Sequence, residues 1–135
     1  EAPLTEEATL SVPGSCRFGV WELRAELGVP AGTAAPPDTA RLDPAALDEL
    51  LVVRAWRDGD RIRPLGLGGS KSLQDLFTDR KVPRSLRRTL PVVTSGGRIA
   101  WIAGVAVSEE FAAGGSLADP AVLSASAARS PGPPT

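Results

Sequence analysis

RAWRDGDRIRPLGLGGSKSLQDLFTDRKVPRSLRR, residues 54–88, decides how the rest of the chain is read. It carries ten basic residues, Arg54, Arg57, Arg61, Arg63, Lys71, Arg80, Lys81, Arg84, Arg87 and Arg88, against Asp58, Asp60, Asp75 and Asp79. The stretch is therefore +6 in a chain of net charge −1, and the remainder sums to −7. A near-neutral total conceals a polarised molecule. Concentrated positive potential is the footprint of a surface that meets phosphates, and a solvated, charge-rich face is the plain alternative. Asp58-Gly59 reads as a tight turn, because glycine tolerates positive φ, so residues 51–57 and 60–63 are expected to pair as a hairpin. Ser72 with Asp75 resembles a capping box, opening a helix to about Lys81 with Leu73, Leu76 and Phe77 on its buried stripe. Pro83 starts a second short helix, with Leu86 and Leu90 available for burial and the arginines on the opposite side. The connection LGLGGSKS is not a Walker A loop, because Ser70 separates Gly69 from Lys71. Its backbone N–H groups and Lys71 remain available to a phosphate backbone.

Upstream, residues 1–8 read as a linker. TLSV, CRF and VWELRAEL follow as short extended segments with intervening turns, the pattern of a β-meander. Residues 28–40 form a Gly, Pro and Ala loop. Asp43 as an N-cap and Pro44 at the first helical position predict a helix of about two turns. Downstream, residues 91–94 and 98–102 predict a hairpin closed by Ser95-Gly96-Gly97, and residues 103–111 a final strand. From residue 112 the composition collapses to Ala, Ser, Gly and Pro, so 112–135 is expected to be a disordered tail and the domain to span 9–111.

At 135 residues the chain affords one core, and 4% aromatic content leaves aliphatic side chains to fill most of it, with Trp21, Trp56 and Trp101 as packing anchors. The absence of His removes His-based triads and nearly every zinc site that is not all-thiolate. A single Cys16 excludes an internal disulfide and reads as a partly buried, inert thiol. No apolar run approaches the ~20 residues of a membrane span. The protein is therefore expected to be cytoplasmic, without membrane contact. With Glu1 at its start and no Met, the chain reads as a piece of a longer protein.

The run GDRIRPLGLGGSKSLQDLFTDRKVPRSLRRTLPVV, followed by GRIAWIAGV, closely resembles the C-terminal domain of bacterial tRNA(Ile)-lysidine synthetase. The matching positions are Arg54, Gly59-Asp60-Arg61, Pro64-Leu65-Gly66, Gly69-Ser70-Lys71, the Leu73 to Phe77 run, Lys81-Val82-Pro83-Arg84 and Trp101. They cover residues 53 to about 111, and the preceding segment with Trp21, Leu23 and Arg24 more loosely. Ser72 departs from the pattern, standing where the family often has a second Lys. The resemblance implies an α+β fold, a β-sandwich-like core of short strands and hairpins with short helices, similar to a domain of the phenylalanyl-tRNA synthetase β subunit. The strand and helix pattern agrees with it. It also implies a parent ligase that uses ATP, with Mg, to join lysine to C2 of the wobble cytidine of tRNA(Ile). The catalytic N-terminal domain of the same polypeptide would hold those cofactors, with none in this piece. Whether the parent is a homodimer stays open. Ser95-Gly96-Gly97 looks like the start of the family's ATP motif SGGxDS but lacks its Asp and sits at a turn.

By the same resemblance this domain holds the acceptor stem of the tRNA. A duplex is read through backbone and shape, which needs a rigid basic surface more than exposed aromatics. Arg54, Arg61, Lys71, Lys81 and Arg84 are the first candidates for RNA contact, then Arg57, Arg63, Arg80, Arg87 and Arg88. An Arg54–Asp60 ion pair that orients the turn is the alternative for Arg54. Two other classes compete: a protein-interaction or scaffold module of the same fold, and a small-molecule enzyme using Asp60, Asp75 or Asp79 with Lys71.

Overall fold

The computed structural model describes residues 7–27, 39–113 and 120–127. In chain order these form β1 (Ala8–Ser11), β2 (Gly14–Phe18), β3 (Trp21–Glu26), β4 (Thr39–Leu42) and β5 (Leu50–Arg54). Then come β6 (Arg61–Ile62), β7 (Lys71–Ser72), α1 (Leu73–Asp79), α2 (Arg84–Arg87), β8 (Val92–Ser95), β9 (Arg98–Ile102), β10 (Ala106–Val107) and β11 (Ala121–Ala127). One antiparallel sheet runs β1-β5-β8-β9-β10, a second β2-β3-β11-β4, and β6 pairs only with β7.

Alternation along the strands explains the layering. Leu10, Leu51, Val53, Val93 and Trp101 of the first sheet meet Phe18, Leu23, Leu42 and Leu123 of the second in one core, which makes a sandwich. On the first sheet's other face, Val92, Ile99 and Ile102 pack with Ile62, Leu90 and the Leu73, Leu76 and Phe77 stripe of α1. Strand β8 is thus buried on both faces, and its two polar residues are satisfied there, the Thr94 hydroxyl donating to the Val52 carbonyl and the Ser95 hydroxyl accepting the Asp48 N–H. The α+β, sandwich-like expectation holds. α1 begins as predicted, with the Ser72 hydroxyl accepting the Asp75 N–H at 3.2 Å. The β8–β9 hairpin closes through Gly96 and Gly97, both at positive φ.

Several local expectations fail for identifiable reasons. The N-terminal strands are not a meander: β1 crosses to pair with β5, while β2 and β3 pair in the other sheet. The two-turn helix is a single 3-10 turn, Pro44–Ala46. Asp43 does cap it, accepting the Ala45 N–H at 2.9 Å, but the Asp48 N–H is taken by the Ser95 hydroxyl at 2.9 Å and Leu50 already belongs to β5. Asp58-Gly59 does turn the chain, with Gly59 at φ 92° and the Asp60 N–H donating to the Arg57 carbonyl. The flanking strands nevertheless stay apart, because β1 and β8 already occupy both edges of β5, and Arg61 and Ile62 pair with Ser72 and Lys71. Of residues 103–111, only Ala106–Val107 pairs with β9, after a turn with Gly104 at φ 75°. Leu86 is exposed on α2, whereas Leu90 is buried.

The largest correction lies in the expected tail. Residues 121–127 are not disordered but form β11, which sits between β3 and β4, Leu123 facing Ala25 on one side and Ala40 on the other. Ala121, Leu123 and Ala125 point into the core. Residues 114–119 and 128–135 of that tail lie outside the described residues. So do residues 1–6 of the expected linker, whose Ala8 opens β1, and 28–38 of the expected loop, whose Thr39 opens β4. No helix among the described residues is long and apolar enough to cross a membrane.

Candidate nucleic-acid interface

The turn after β5 hangs on Asp60. Its carboxylate accepts Arg54 Nη1 and Nη2 at 2.8 and 3.1 Å and the Arg57 N–H at 2.8 Å. Arg54 also donates to the Ala55 carbonyl at 3.0 Å. Only 11% of the Arg54 side chain and 13% of that of Asp60 is exposed, so this fork-to-fork pair is structural, the alternative reading of Arg54. Lys71 is likewise drawn to Asp79 and Arg57 to Glu7, while Arg63 pairs with Glu109 at 3.0 Å. Arg80 donates to the Val105 carbonyl.

The α2 side is organised by rings. Trp56 meets Phe77 edge to face, with centroids 5.6 Å apart. Arg88 lies 4.6 Å over Trp56 and reaches Asp58 at 3.3 Å. Arg87 donates Nε to the Val82 carbonyl at 2.9 Å and lies 6.0 Å over Phe77. Five candidates have no carboxylate partner among the described residues, and two of them, Arg80 and Arg87, are held instead by the Val105 and Val82 carbonyls. Arg61 touches only the Ser70 hydroxyl, at 3.2 Å, and the exposed Lys81 and Arg84 make no side-chain bond. Arg61, Lys81 and Arg84 are the cations most available to an anionic partner, since the ion-paired ones must first give up a carboxylate and Arg80 and Arg87 are tethered to backbone carbonyls.

Eight of the ten candidates line three hollows. Arg54, Arg61 and Arg63 line a hollow shared with Asp60, Arg98 and Glu110. Lys71 and Arg80 lie beneath the glycine-rich loop with Asp79. Arg84, Arg87 and Arg88 surround a third hollow with Trp56 and Gln74. Trp56, expected as a packing anchor alone, also carries Arg88 on its ring. The readable signal was an aromatic placed within the basic run.

Two of the three acids of the enzyme reading are otherwise engaged, Asp60 by Arg54 and Asp79 by Lys71. Cys16 is half-buried, and burial pushes its thiol up. The Ser95-Gly96-Gly97 run is a structural turn: Ser95 is buried with its hydroxyl accepting the Asp48 N–H, and Gly96 and Gly97 close β8 onto β9.

The family model for the TilS substrate C-terminal domain matches residues 51–119. The chain belongs to this family. A tRNA(Ile)-lysidine synthase of Symbiobacterium thermophilum is 43% identical to this TilS C-terminal domain over 107 residues, 76% of this chain and 22% of that protein. Another, from Geobacter sulfurreducens, is 47% identical over 53 residues, 39% of this chain and 11% of that protein. A crystal structure of a TilS C-terminal domain aligns with a TM-score of 0.74 at 30% identity, covering 93% of this chain and 100% of that one. The TilS C-terminal domain described here thus spans less than a quarter of the length of those two synthases.

Proposed function

We propose that this domain is the tRNA-binding part of a tRNA(Ile)-lysidine ligase and that it holds the acceptor stem. In this reading, catalysis and ATP belong to an N-terminal domain of the same polypeptide, in the cytoplasm. The observation that carries the proposal is the set of cations held by neither a carboxylate nor a backbone carbonyl among the described residues, Arg61, Lys81 and Arg84, on a TilS C-terminal fold. Arg87 and Arg88 add guanidiniums braced on Phe77 and Trp56. Bracing suits duplex RNA, whose regular backbone is recognised by rigid, correctly spaced charges. Arg54 moves from first-rank contact to scaffold in this proposal, because freeing it would undo the turn that displays Arg57 and Arg61.

The test is a titration of the chain with tRNA(Ile), and with a transcript whose acceptor stem is exchanged, across a salt series. If Arg61, Lys81 and Arg84 each neutralise one phosphate, log affinity falls against log salt with a slope of about −2 to −3. Binding that weakens with the exchanged stem supports stem recognition. A flat salt response, or equal binding of an acidic protein, would favour the scaffold reading instead.

A further inference from the structure

The hollow between Trp56, α1 and α2 differs from its neighbours in chemistry. Trp56, Gln74, Arg84, Arg87 and Arg88 line about 400 Å³, with no carboxylate among them. The hollow beside β6 mixes its arginines with Asp60 and Glu110, and the one under the glycine-rich loop includes Asp79. Three guanidiniums thus converge where the other cationic hollows are internally neutralised.

Two of the three are oriented before any ligand arrives. Arg87 is tethered through Nε to the Val82 carbonyl at 2.9 Å, which leaves its terminal nitrogens for another acceptor. Arg88 is stacked on Trp56 and donates to the Trp56 carbonyl at 3.3 Å, its counter-ion being the exposed Asp58 at 3.3 Å. Trp56 is itself fixed against Phe77, with an interplanar angle of 84°. Arg84 is exposed and without a carboxylate partner among the described residues. Forked donors held this way match the oxygens of a phosphate.

The charge count selects the kind of phosphate. A backbone diester carries one negative charge, whereas a terminal monoester carries about −1.5 to −2 at neutral pH. Three guanidiniums, partly offset by Asp58, suit the second. The hollow is bounded by the segment after β5, by α1 through Gln74 and by α2, so a strand end can enter it, whereas an internal diester must enter and leave. With Arg88 over its ring, Trp56 serves to position a cation more than to stack a base.

We propose that this hollow binds the terminal phosphomonoester of an RNA strand, the 5′ end of the stem. The identity of the RNA rests on the proposed function; the anion chemistry does not. The experiment compares two stem RNAs identical but for a 5′-phosphate or a 5′-hydroxyl, bound to the whole chain. In parallel, the Trp56 indole NMR signal, assigned with Trp56→Phe, is followed during titration with uridine 5′-monophosphate and with uridine. The phosphorylated stem should bind about tenfold tighter, the worth of one good charge-assisted hydrogen bond. Arg84→Ala should reduce that gap to less than about threefold, because a fork donor and a charge are both lost. Arg17→Ala, on exposed β2 of the other sheet, should keep it. Uridine monophosphate should move the Trp56 signal and uridine should not. Equal binding of the two stems overturns the inference while leaving the proposed function standing if both bind with steep salt dependence. A Trp56 response to the monophosphate with no stem binding upholds the phosphate site and removes the proposed function. Silence in both arms overturns both.

Discussion

Replacing Lys81 by Gly should raise the stability of the domain and lower its affinity for RNA. Lys81 has φ 58° and is the one non-glycine residue at positive φ among the described residues. The position follows α1, where the Lys81 N–H donates to the Thr78 carbonyl at 3.1 Å and the Val82 N–H to that of Phe77 at 2.9 Å. A helix ending of this kind is ordinarily given to glycine. Left-handed backbone costs a side-chain-bearing residue roughly 1–2 kcal/mol. Glycine gives back about 0.4–1 kcal/mol through its freer unfolded chain. The net gain is about 0.5–1 kcal/mol, which for a domain of this size raises Tm by about 2–5 °C. Lys81→Ala separates the two effects, since it removes the charge but retains the strain. Thermal unfolding should rank Gly above wild type and Ala no higher than wild type. RNA titration should weaken for both variants, with a salt slope flatter by about 1. A Gly variant that melts below wild type would refute the strain argument. Unchanged RNA affinity in both variants would remove Lys81 from the interface.

Asp60→Asn should destabilise the fold by about 3 kcal/mol, because it leaves the largely buried Arg54 without its counter-ion. Asp58→Asn, which touches an exposed pair with Arg88, should change stability by no more than about 0.5 kcal/mol. Denaturant unfolding of the two side by side checks the contrast, and equal midpoints would show that the Arg54 pair is no better than a surface one. Cys16, its thiol pushed up by burial, should hold less thiolate at neutral pH than an unfolded chain and react more slowly with a thiol reagent. The difference should narrow as pH rises through the folded value, and identical rates at neutral pH would falsify the claim.

What the sequence made legible was whatever depends on neighbours along the chain. Ser72 and Asp75 announce α1, and Leu73, Leu76 and Phe77 its buried face, because caps and stripes are local devices. Gly96-Gly97 closes the β8–β9 hairpin for the same reason. Arg54 and Asp60 are six residues apart and joined by a turn, so their pairing was visible as an alternative. What escaped depended on competition between distant strands. The hairpin expected around Gly59 fails because β1 and β8 take both edges of β5, a fact set more than thirty residues away on each side. β11 was hidden by composition: along Val122 to Ser126, Leu123 and Ala125 are buried and their neighbours are not, but the small residues look like a linker until β3 and β4 flank them. For the site, the charges were readable but their carboxylate partners Glu7 and Glu109 were not.

The position of β11 sets an order of events during synthesis. β2, β3 and β4 leave the ribosome well before residue 121, yet β3 and β4 share no ladder and are joined only through β11. Until that strand emerges, the nascent chain carries two unpaired strand edges, which are templates for pairing with other chains. The pairing of Trp21 with Ala127 also closes a loop of over a hundred residues, a contact that slows folding. The second sheet therefore closes only when β11 arrives, and the Ala and Ser of that strand, small and weakly hydrophobic, give the late arrival little apolar surface with which to stick elsewhere.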